Sequence, residues 1–119
     1  MELKKYKGGC HCGSISYLFS APEITNGLRC NCSICIRKGA VMTAFTVPPE
    51  DMNVEVLGDS LSTYQFGSKT AKHHFCNKCG IYTFHEPQSK PGHFRLNVGC
   101  IEGVNPLALV VDTFDGASL

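Results

Sequence analysis

Short runs of alternating polar and apolar residues, interrupted by turn residues, dominate the chain. Residues 14–19 alternate before Ala21-Pro22, and the β-rich run at 41–47 stops at Pro48-Pro49. Similar runs occupy residues 94–98 and 110–114. Several short strands at roughly ten-residue spacing are typical of antiparallel sheets. The pattern predicts an all-β domain of about eight strands in small antiparallel sheets.

The middle of the chain predicts two hairpins. The connection between residues 54–57 and 61–66 begins with Gly58-Asp59, a combination typical of a tight turn. Residues 72–75 and 81–84 flank Cys76-Asn-Lys-Cys79, which predicts a hairpin like a zinc ribbon with both cysteines at its tip. The only helical candidate covers residues 33–38, and we expect residues 116–119 to be loosely held.

The size and net charge of the chain limit the number of domains and the kinds of partner that it can have. The 119 residues, 13.0 kDa in mass and 43% hydrophobic, fit one domain over residues 1–119. Eleven basic and ten acidic residues give a net charge of +1, and no long basic run is present. We therefore expect no nucleic-acid partner.

The hydropathy pattern gives no indication of a membrane protein. No stretch approaches the roughly 18 apolar residues of a membrane span, and residues 1–6 lack the apolar core of a secretory signal. We expect a cytoplasmic protein without a membrane partner. Thiols stay reduced in that compartment, so its closely spaced cysteines bind metal more often than they form disulfides. The alternative is a secreted disulfide framework, since the eight cysteines are an even number.

Four of the cysteines fit a closed metal site. Cys10 and Cys12 form a CxC motif, and Cys76 and Cys79 form a distant CxxC motif. Cysteines one or two residues apart can turn towards one Zn²⁺ at about 2.3 Å. Four thiolates leave no position for a substrate, so we expect a structural zinc that fastens the N-terminal segment to the hairpin.

Three further cysteines, Cys30, Cys32 and Cys35, offer ligands to a second zinc. Three protein ligands and one exchangeable position are typical of catalytic zinc. Such an ion can lower the pKa of a bound thiol or polarise an aldehyde oxygen, and the sequence leaves both possibilities open. We expect two zinc ions per chain, one structural and one catalytic.

The alternative for this cluster is a second structural zinc with a fourth protein ligand. Candidates for that ligand are Cys100 and the five histidines, His11, His73, His74, His85 and His93. A lone cysteine is more often a small buried hydrophobe, and we expect the histidines at the surface or behind the ligands. Because His73 and His74 are neighbours on a strand, at most one is expected to face the core.

Three cysteine motifs in fixed order resemble a known family. Gly8-Gly-Cys-His-Cys-Gly13, Cys30-Asn-Cys-Ser-Ile-Cys35 and Phe75-Cys-Asn-Lys-Cys-Gly80 are similar to motifs of the glutathione-dependent formaldehyde-activating enzymes, which include centromere protein V. The resemblance implies a tent-like all-β fold with two zinc sites. It implies structural ligands at Cys10, Cys12, Cys76 and Cys79 and catalytic ligands at Cys30, Cys32 and Cys35.

The implied activity is that of a zinc-dependent carbon-sulfur lyase. Its substrate would be S-hydroxymethylglutathione, formed from glutathione and formaldehyde as small-molecule partners. One alternative is the same chemistry on another thiol or aldehyde, since pocket shape sets specificity. The other is a non-catalytic, zinc-stabilised binding module. No HExxH, Walker loop or GxGxxG motif suggests another enzyme class.

Overall fold

The computed structural model describes residues 2–119, which form three small β-sheets and one short α-helix. The helix α1 covers Ser33–Lys38. The strands are β1 (Lys4–Gly9), β2 (Ile15–Ala21), β3 (Asn26–Cys30), β4 (Met42–Thr43), β5 (Met52–Val56), β6 (Leu61–Tyr64), β7 (Lys72–Cys76), β8 (Tyr82–Glu86), β9 (Arg95–Leu96) and β10 (Val110–Phe114). The predicted fold class, a mostly β protein of small antiparallel sheets, is confirmed.

The first sheet has the antiparallel order β1-β2-β5. Its central strand buries every second side chain, at Ile15, Tyr17, Phe19 and Ala21, as the alternating sequence predicts. The ring of Tyr6 on β1 stacks on Phe19 with centroids 5.3 Å apart. This sheet therefore presents one apolar face to the rest of the molecule.

The second sheet has the order β10-β3-β4 and carries the three-cysteine motif. Strand β10 runs parallel to β3, which places Phe114 opposite Cys30. This parallel pair departs from the predicted antiparallel pattern. The helix α1 follows β3 and ends at Gly39, whose φ of 65° is the left-handed conformation that glycine favours. The helix lies where the sequence predicts it.

The third sheet has the antiparallel order β6-β7-β8-β9. Strands β7 and β8 form the predicted ribbon-like hairpin, with Cys76 at the end of β7 and Cys79 in the turn. The pairing register shifts between His74 and Phe75. Within residues 2–119, none of the helices has the length and apolar character needed to cross a membrane.

The core lies between the first and third sheets. The edge of one aromatic ring meets the face of the next at Tyr17 and Phe84, 5.7 Å apart, and at Phe84 and Phe94, 5.4 Å apart. The buried core residues are Tyr17, Phe19, Ala21, Ile24, Val47, Phe84, Leu96 and Ile101. This shared core fixes the β7–β8 hairpin against β2.

The predicted hairpin over residues 54–66 is wrong. Strand β5 pairs with β2, and β6 pairs with β7 in a different sheet. Buried Ser60 holds the connection, because its hydroxyl donates to the carbonyl of Leu57 at 2.8 Å. Turn residues specify a change of chain direction and do not specify which strand the chain joins next.

Several other strands differ from the prediction. Residues 41–47 and 94–98 contribute only the two-residue strands β4 and β9, with isolated bridges such as Val47 to Phe94. Strands β1 and β3 were not predicted, because β1 is mainly polar and β3 contains Asn26 and Gly27. Pairing with neighbouring strands overrides these weak local preferences.

The expectation of a loosely held segment at residues 116–119 is also wrong. Residues Gly116–Ser118 form a 3₁₀ turn. The side chain of Asn31 holds this turn, accepting from the amide of Ala117 at 2.8 Å and donating to Asp115 Oδ1 at 2.9 Å. The turn therefore lies beside the three-cysteine motif.

Candidate metal centres

The first cluster brings together Cys10, Cys12, Cys76 and Cys79, whose sulfur atoms all lie within 4.8 Å of one another. The sulfur of Cys12 is 3.7 Å from that of Cys10 and 3.6 Å from that of Cys76. Zinc–sulfur bonds of about 2.3 Å place the corners of a tetrahedron about 3.8 Å apart. The spacing of these sulfurs therefore fits a four-coordinate zinc ion.

Two turns from distant parts of the chain build this cluster. The turn between β1 and β2 closes with the amide of Cys10 donating to the carbonyl of Ile15 at 3.0 Å. The amide of Ile15 donates in return to Cys10 Sγ at 3.3 Å. The β7–β8 turn closes in the same way, with the amide of Cys76 donating to the carbonyl of Ile81 at 2.9 Å, and the amide of Lys78 donates to Cys76 Sγ at 3.4 Å. Backbone amides thus orient the sulfurs and favour their thiolate forms.

The thiols of this cluster differ in acidity. A hydrogen bond from the backbone of Cys12 lowers the pKa of Cys79 to about 6. Burial raises the pKa of Cys76 to about 11. Sulfurs this close exchange hydrogen bonds, so one is stabilised as thiolate while its neighbour keeps the proton. A divalent cation among them stabilises all four as thiolates.

The second cluster brings together Cys30, Cys32 and Cys35, with their sulfur atoms also within 4.8 Å of one another. Cys30 is the last residue of β3, Cys32 is the N-cap residue of α1, and Cys35 lies within the helix. The amide of Ile36 donates to the carbonyl of Cys32 at 2.9 Å, which begins the helix directly at the cluster. Three thiolates are the donor set expected for a zinc ion with an exchangeable position.

The environment separates the acidities of these thiols as well. Burial raises the pKa of Cys35 to about 12. Burial also opposes ionisation of Cys32, but hydrogen bonds from the amides of Cys35 and Ile34 and from the thiols of Cys35 and Cys30 together outweigh it and lower the pKa of Cys32. The start of the helix therefore favours a thiolate at Cys32.

Among the described residues, the second cluster consists of three cysteines alone. Within residues 2–119, no aspartate, glutamate, histidine or further cysteine lies within the same distance of all three sulfurs. The sulfur of Cys100 instead lies 3.6 Å from the carbonyl oxygen of Tyr82, packed against the hydrophobic core. This position agrees with the expected role of Cys100 as a small apolar residue.

A cavity of about 290 Å³ adjoins the second cluster. Its walls come from both the second and the third sheets. The lining residues are Leu28, Cys30, Cys35, Met42, His85, Pro87, Ser89, Arg95 and Phe114. A mostly apolar cavity with a few polar groups and two of the three sulfurs is suited to a small organic ligand.

A chain of polar side chains lies behind the cavity. The ammonium of Lys38, at the end of α1, is 2.7 Å from His73 Nδ1 and 3.8 Å from the centre of the Tyr82 ring. The hydroxyl of Tyr82 shares a hydrogen bond with Nδ1 of His85. Burial lowers the pKa of His73 to about 4 and that of His85 to about 3, so both imidazoles are neutral at pH 7.

The expectation that at most one of His73 and His74 faces the core is wrong. His73, His74 and His85 are all buried, with exposed fractions of 6%, 8% and 8%. Both faces of β7 are covered: Phe84 packs on His74, whose Nε2 bonds Glu86 at 2.7 Å, and Lys38 covers His73. Alternation along a strand predicts one exposed face when the sheet has solvent on one side. Here other parts of the protein cover both sides of β7.

Sequence reasoning did not identify Arg95, Lys38 or Tyr82 as residues of the site, and it considered His85 only as a possible metal ligand. They belong to no motif, because their positions depend on how the second and third sheets meet. One weak signal was present: the β7 and β8 strands that flank the CxxC motif carry three histidines. Polar residues within strands next to a metal motif can indicate a buried polar network.

Comparison with known proteins identifies the family of this chain. The family model described as glutathione-dependent formaldehyde-activating enzyme matches residues 5–115. The chain is also similar to a crystal structure of a Rhodobacter sphaeroides protein, a structural genomics target. The two share 40% sequence identity with a TM-score of 0.80, over 91% of this chain and 99% of that one. On the match over residues 5–115, the chain belongs to the family of glutathione-dependent formaldehyde-activating enzymes.

Proposed function

We propose that the protein is a zinc-dependent carbon-sulfur lyase acting on S-hydroxymethylglutathione. In the synthetic direction it joins glutathione to formaldehyde. The observation that carries this proposal is the placement of Cys30 and Cys35 on the wall of a cavity sized for a small organic ligand. Family membership adds glutathione and formaldehyde as the substrates most consistent with that cavity.

The reaction needs one bond made and one proton moved. In the synthetic direction the glutathione sulfur, as thiolate, attacks the carbonyl carbon of formaldehyde and forms the C–S bond. The carbonyl π electrons move to oxygen, which takes up a proton and becomes the hydroxyl of the adduct. The lyase direction reverses each step, breaking the C–S bond and releasing the thiolate.

The two cysteine clusters have different roles in this proposal. Cys30, Cys32 and Cys35 hold the catalytic zinc, whereas Cys10, Cys12, Cys76 and Cys79 hold the structural zinc. When bound to the three cysteines, zinc lowers the pKa of a thiol and polarises a carbonyl oxygen. The apolar residues Leu28, Met42 and Phe114 line the cavity and limit the access of water to the reacting atoms.

His85 is assigned to the hydroxyl of the adduct. It lines the cavity, and Tyr82 occupies its Nδ1 through a hydrogen bond. The neutral ring therefore presents Nε2 as the remaining hydrogen-bonding atom. A hydrogen bond from this atom to the hydroxymethyl oxygen would orient the adduct for cleavage of the C–S bond.

Exchange NMR with ¹³C-labelled formaldehyde and glutathione tests this function. The zinc-loaded protein is compared with Cys32→Ser and with the control Cys100→Ser, which changes a cysteine outside both clusters. We expect acceleration above the uncatalysed rate in the wild type and in Cys100→Ser. In Cys32→Ser we expect its loss, with zinc falling from two towards one per chain and the fold retained.

The same experiment has two outcomes against the proposal. Equal exchange rates with and without the wild-type protein would remove the glutathione lyase activity and leave a zinc-stabilised binding module. Full acceleration by a folded Cys32→Ser variant with one zinc would place the activity away from the three cysteines.

A further inference from the structure

Arg95 is a partly buried cation on the wall of the cavity that also holds Cys30 and Cys35. It lies on β9, and its Nη1 donates to the carbonyl oxygen of Thr43 at 2.8 Å. This bond fixes the guanidinium at the junction of the second and third sheets. Burial lowers the pKa of Arg95, which indicates that its charge lacks full solvation by water.

No carboxylate in the part of the chain that the structure describes forms an ion pair with this guanidinium. Across residues 2–119, no aspartate or glutamate oxygen lies within 4.0 Å of the Arg95 nitrogens. Glu86, in the neighbouring strand β8, is engaged with His74 at 2.7 Å. No acidic residue lines the cavity, and burial keeps its histidine, His85, neutral. The guanidinium therefore retains charge and hydrogen-bonding capacity for a ligand.

The three cysteines lie near two cations, Lys38 and Arg95. A zinc ion with three thiolates carries a net charge of −1, and the charges of Cys35, Cys32 and Cys30 all act on the Lys38 ammonium. That ammonium is held in place by His73 and the Tyr82 ring. One cation therefore already balances the metal cluster, and Arg95 is the second positive group beside it.

We propose that Arg95 binds a carboxylate of the thiol substrate and makes the cavity selective for thiols that carry one. The proposal rests on the proposed function, because it assumes that the thiol occupies this cavity. A guanidinium matches a carboxylate with two parallel hydrogen bonds, and such charge-assisted pairs are the strongest in proteins. Glutathione carries its thiol on the central cysteine and one carboxylate at each end of the tripeptide, so a carboxylate is available to Arg95 when the sulfur faces Cys30 and Cys35 in the same cavity.

Binding of an unreactive analogue tests the proposal without relying on turnover. The zinc-loaded protein is titrated by calorimetry with S-methylglutathione and with its dimethyl ester, which lacks both negative charges. We expect the wild type to bind S-methylglutathione more tightly than the ester. Arg95→Gln should lose about tenfold to a hundredfold in affinity for S-methylglutathione and change little for the ester.

Two further variants separate substrate binding from a structural role. Arg37→Gln changes an exposed arginine of α1 whose Nη1 bonds the carbonyl of Ser33, and it should bind both ligands as the wild type does. Arg95→Lys keeps the charge without the planar fork, and it should keep part of the preference for S-methylglutathione. Zinc content and thermal unfolding show whether each variant remains folded.

The calorimetric titration and the formaldehyde-exchange experiment test different claims. The assignment of Arg95 is overturned if Arg95→Gln weakens both ligands equally, if it weakens neither, or if the wild type does not discriminate between them. Selective binding through Arg95 in a protein that does not accelerate formaldehyde exchange would instead remove the lyase activity and leave the carboxylate site in place.

Discussion

Gly116 shows how closely the backbone approaches the three-cysteine cluster. A Cβ atom added at this position would lie 2.5 Å from Cys30 Sγ and 3.2 Å from Cys32 Cβ. The 3₁₀ turn that contains it is fixed by Asn31, the residue between those cysteines. A residue without a side chain is therefore required where this turn covers the sulfurs.

We expect Gly116→Ala to weaken zinc binding at the three-cysteine site. The added methyl group must displace Cys30 Sγ or move the turn, since real Cβ atoms do not approach other atoms to 2.5 Å. Zinc measured by mass spectrometry should fall from two towards one per chain, and the four-cysteine site should keep its ion. Leu119→Ala, at a side chain that is 94% exposed, is the control and should retain both ions. Two zinc ions in a folded Gly116→Ala protein would contradict this expectation.

The β7–β8 hairpin is the element that joins the metal chemistry to the core. The tip of the hairpin supplies two cysteines to the first cluster, and the ring of Phe84 on β8 packs against the ring of Tyr17. One end of the hairpin is thus held by sulfur ligands and its middle by aromatic packing.

Cys76→Ser should destabilise the whole fold. Cys76 is fully buried, and its loss leaves an incomplete ligand set between two turns that are 64 residues apart in sequence. Structural zinc in such sites contributes folding free energy of order ten kcal/mol. We expect a large fall in the midpoint of thermal unfolding, measured by circular dichroism, whereas Cys100→Ser should unfold near the wild-type temperature. An unchanged midpoint in Cys76→Ser would mean that the cluster does not stabilise the fold.

The elements that the sequence predicted correctly are those that depend on residues close together along the chain. The helix at Ser33–Lys38, the ribbon-like hairpin and the alternation of β2 follow from turn residues and side-chain periodicity, and all three are observed. The grouping of the seven cysteines was also predictable, because motif spacing sets how ligands converge. The partners of β5 and β6, the parallel strand β10 and the cavity residues depend on contacts between distant segments, which no short window contains.

At the scale of the whole molecule, the second and third sheets meet at Thr43. Its side chain is fully buried, and its hydroxyl accepts from the amide of Leu96 at 3.1 Å and donates to the carbonyl of Phe45 at 2.8 Å. Its carbonyl accepts from Arg95. This junction holds together the two halves of the cavity wall.

Thr43→Val should therefore lower stability without changing side-chain volume. The valine leaves the buried amide of Leu96 without its acceptor, which costs about 1–3 kcal/mol. Denaturant unfolding of the zinc-loaded protein measures the change in the free energy of unfolding. Thr113→Val, on the exposed side of β10, should change it by less than about 0.5 kcal/mol. Equal effects of the two substitutions would contradict a special role for Thr43 at the junction.

The parallel pairing of β10 with β3 has a consequence for the order of folding. The cysteines of the second cluster are close in sequence and can gather around a metal ion soon after they are synthesised. The residues that enclose them come much later, as the separation of 84 positions between Asn31 and Asp115 illustrates. Contacts of such long range form slowly, because the intervening chain must first be ordered. During biosynthesis, the metal-binding capacity of this cluster should precede its enclosed pocket, and catalytic competence should be the last property that the chain acquires.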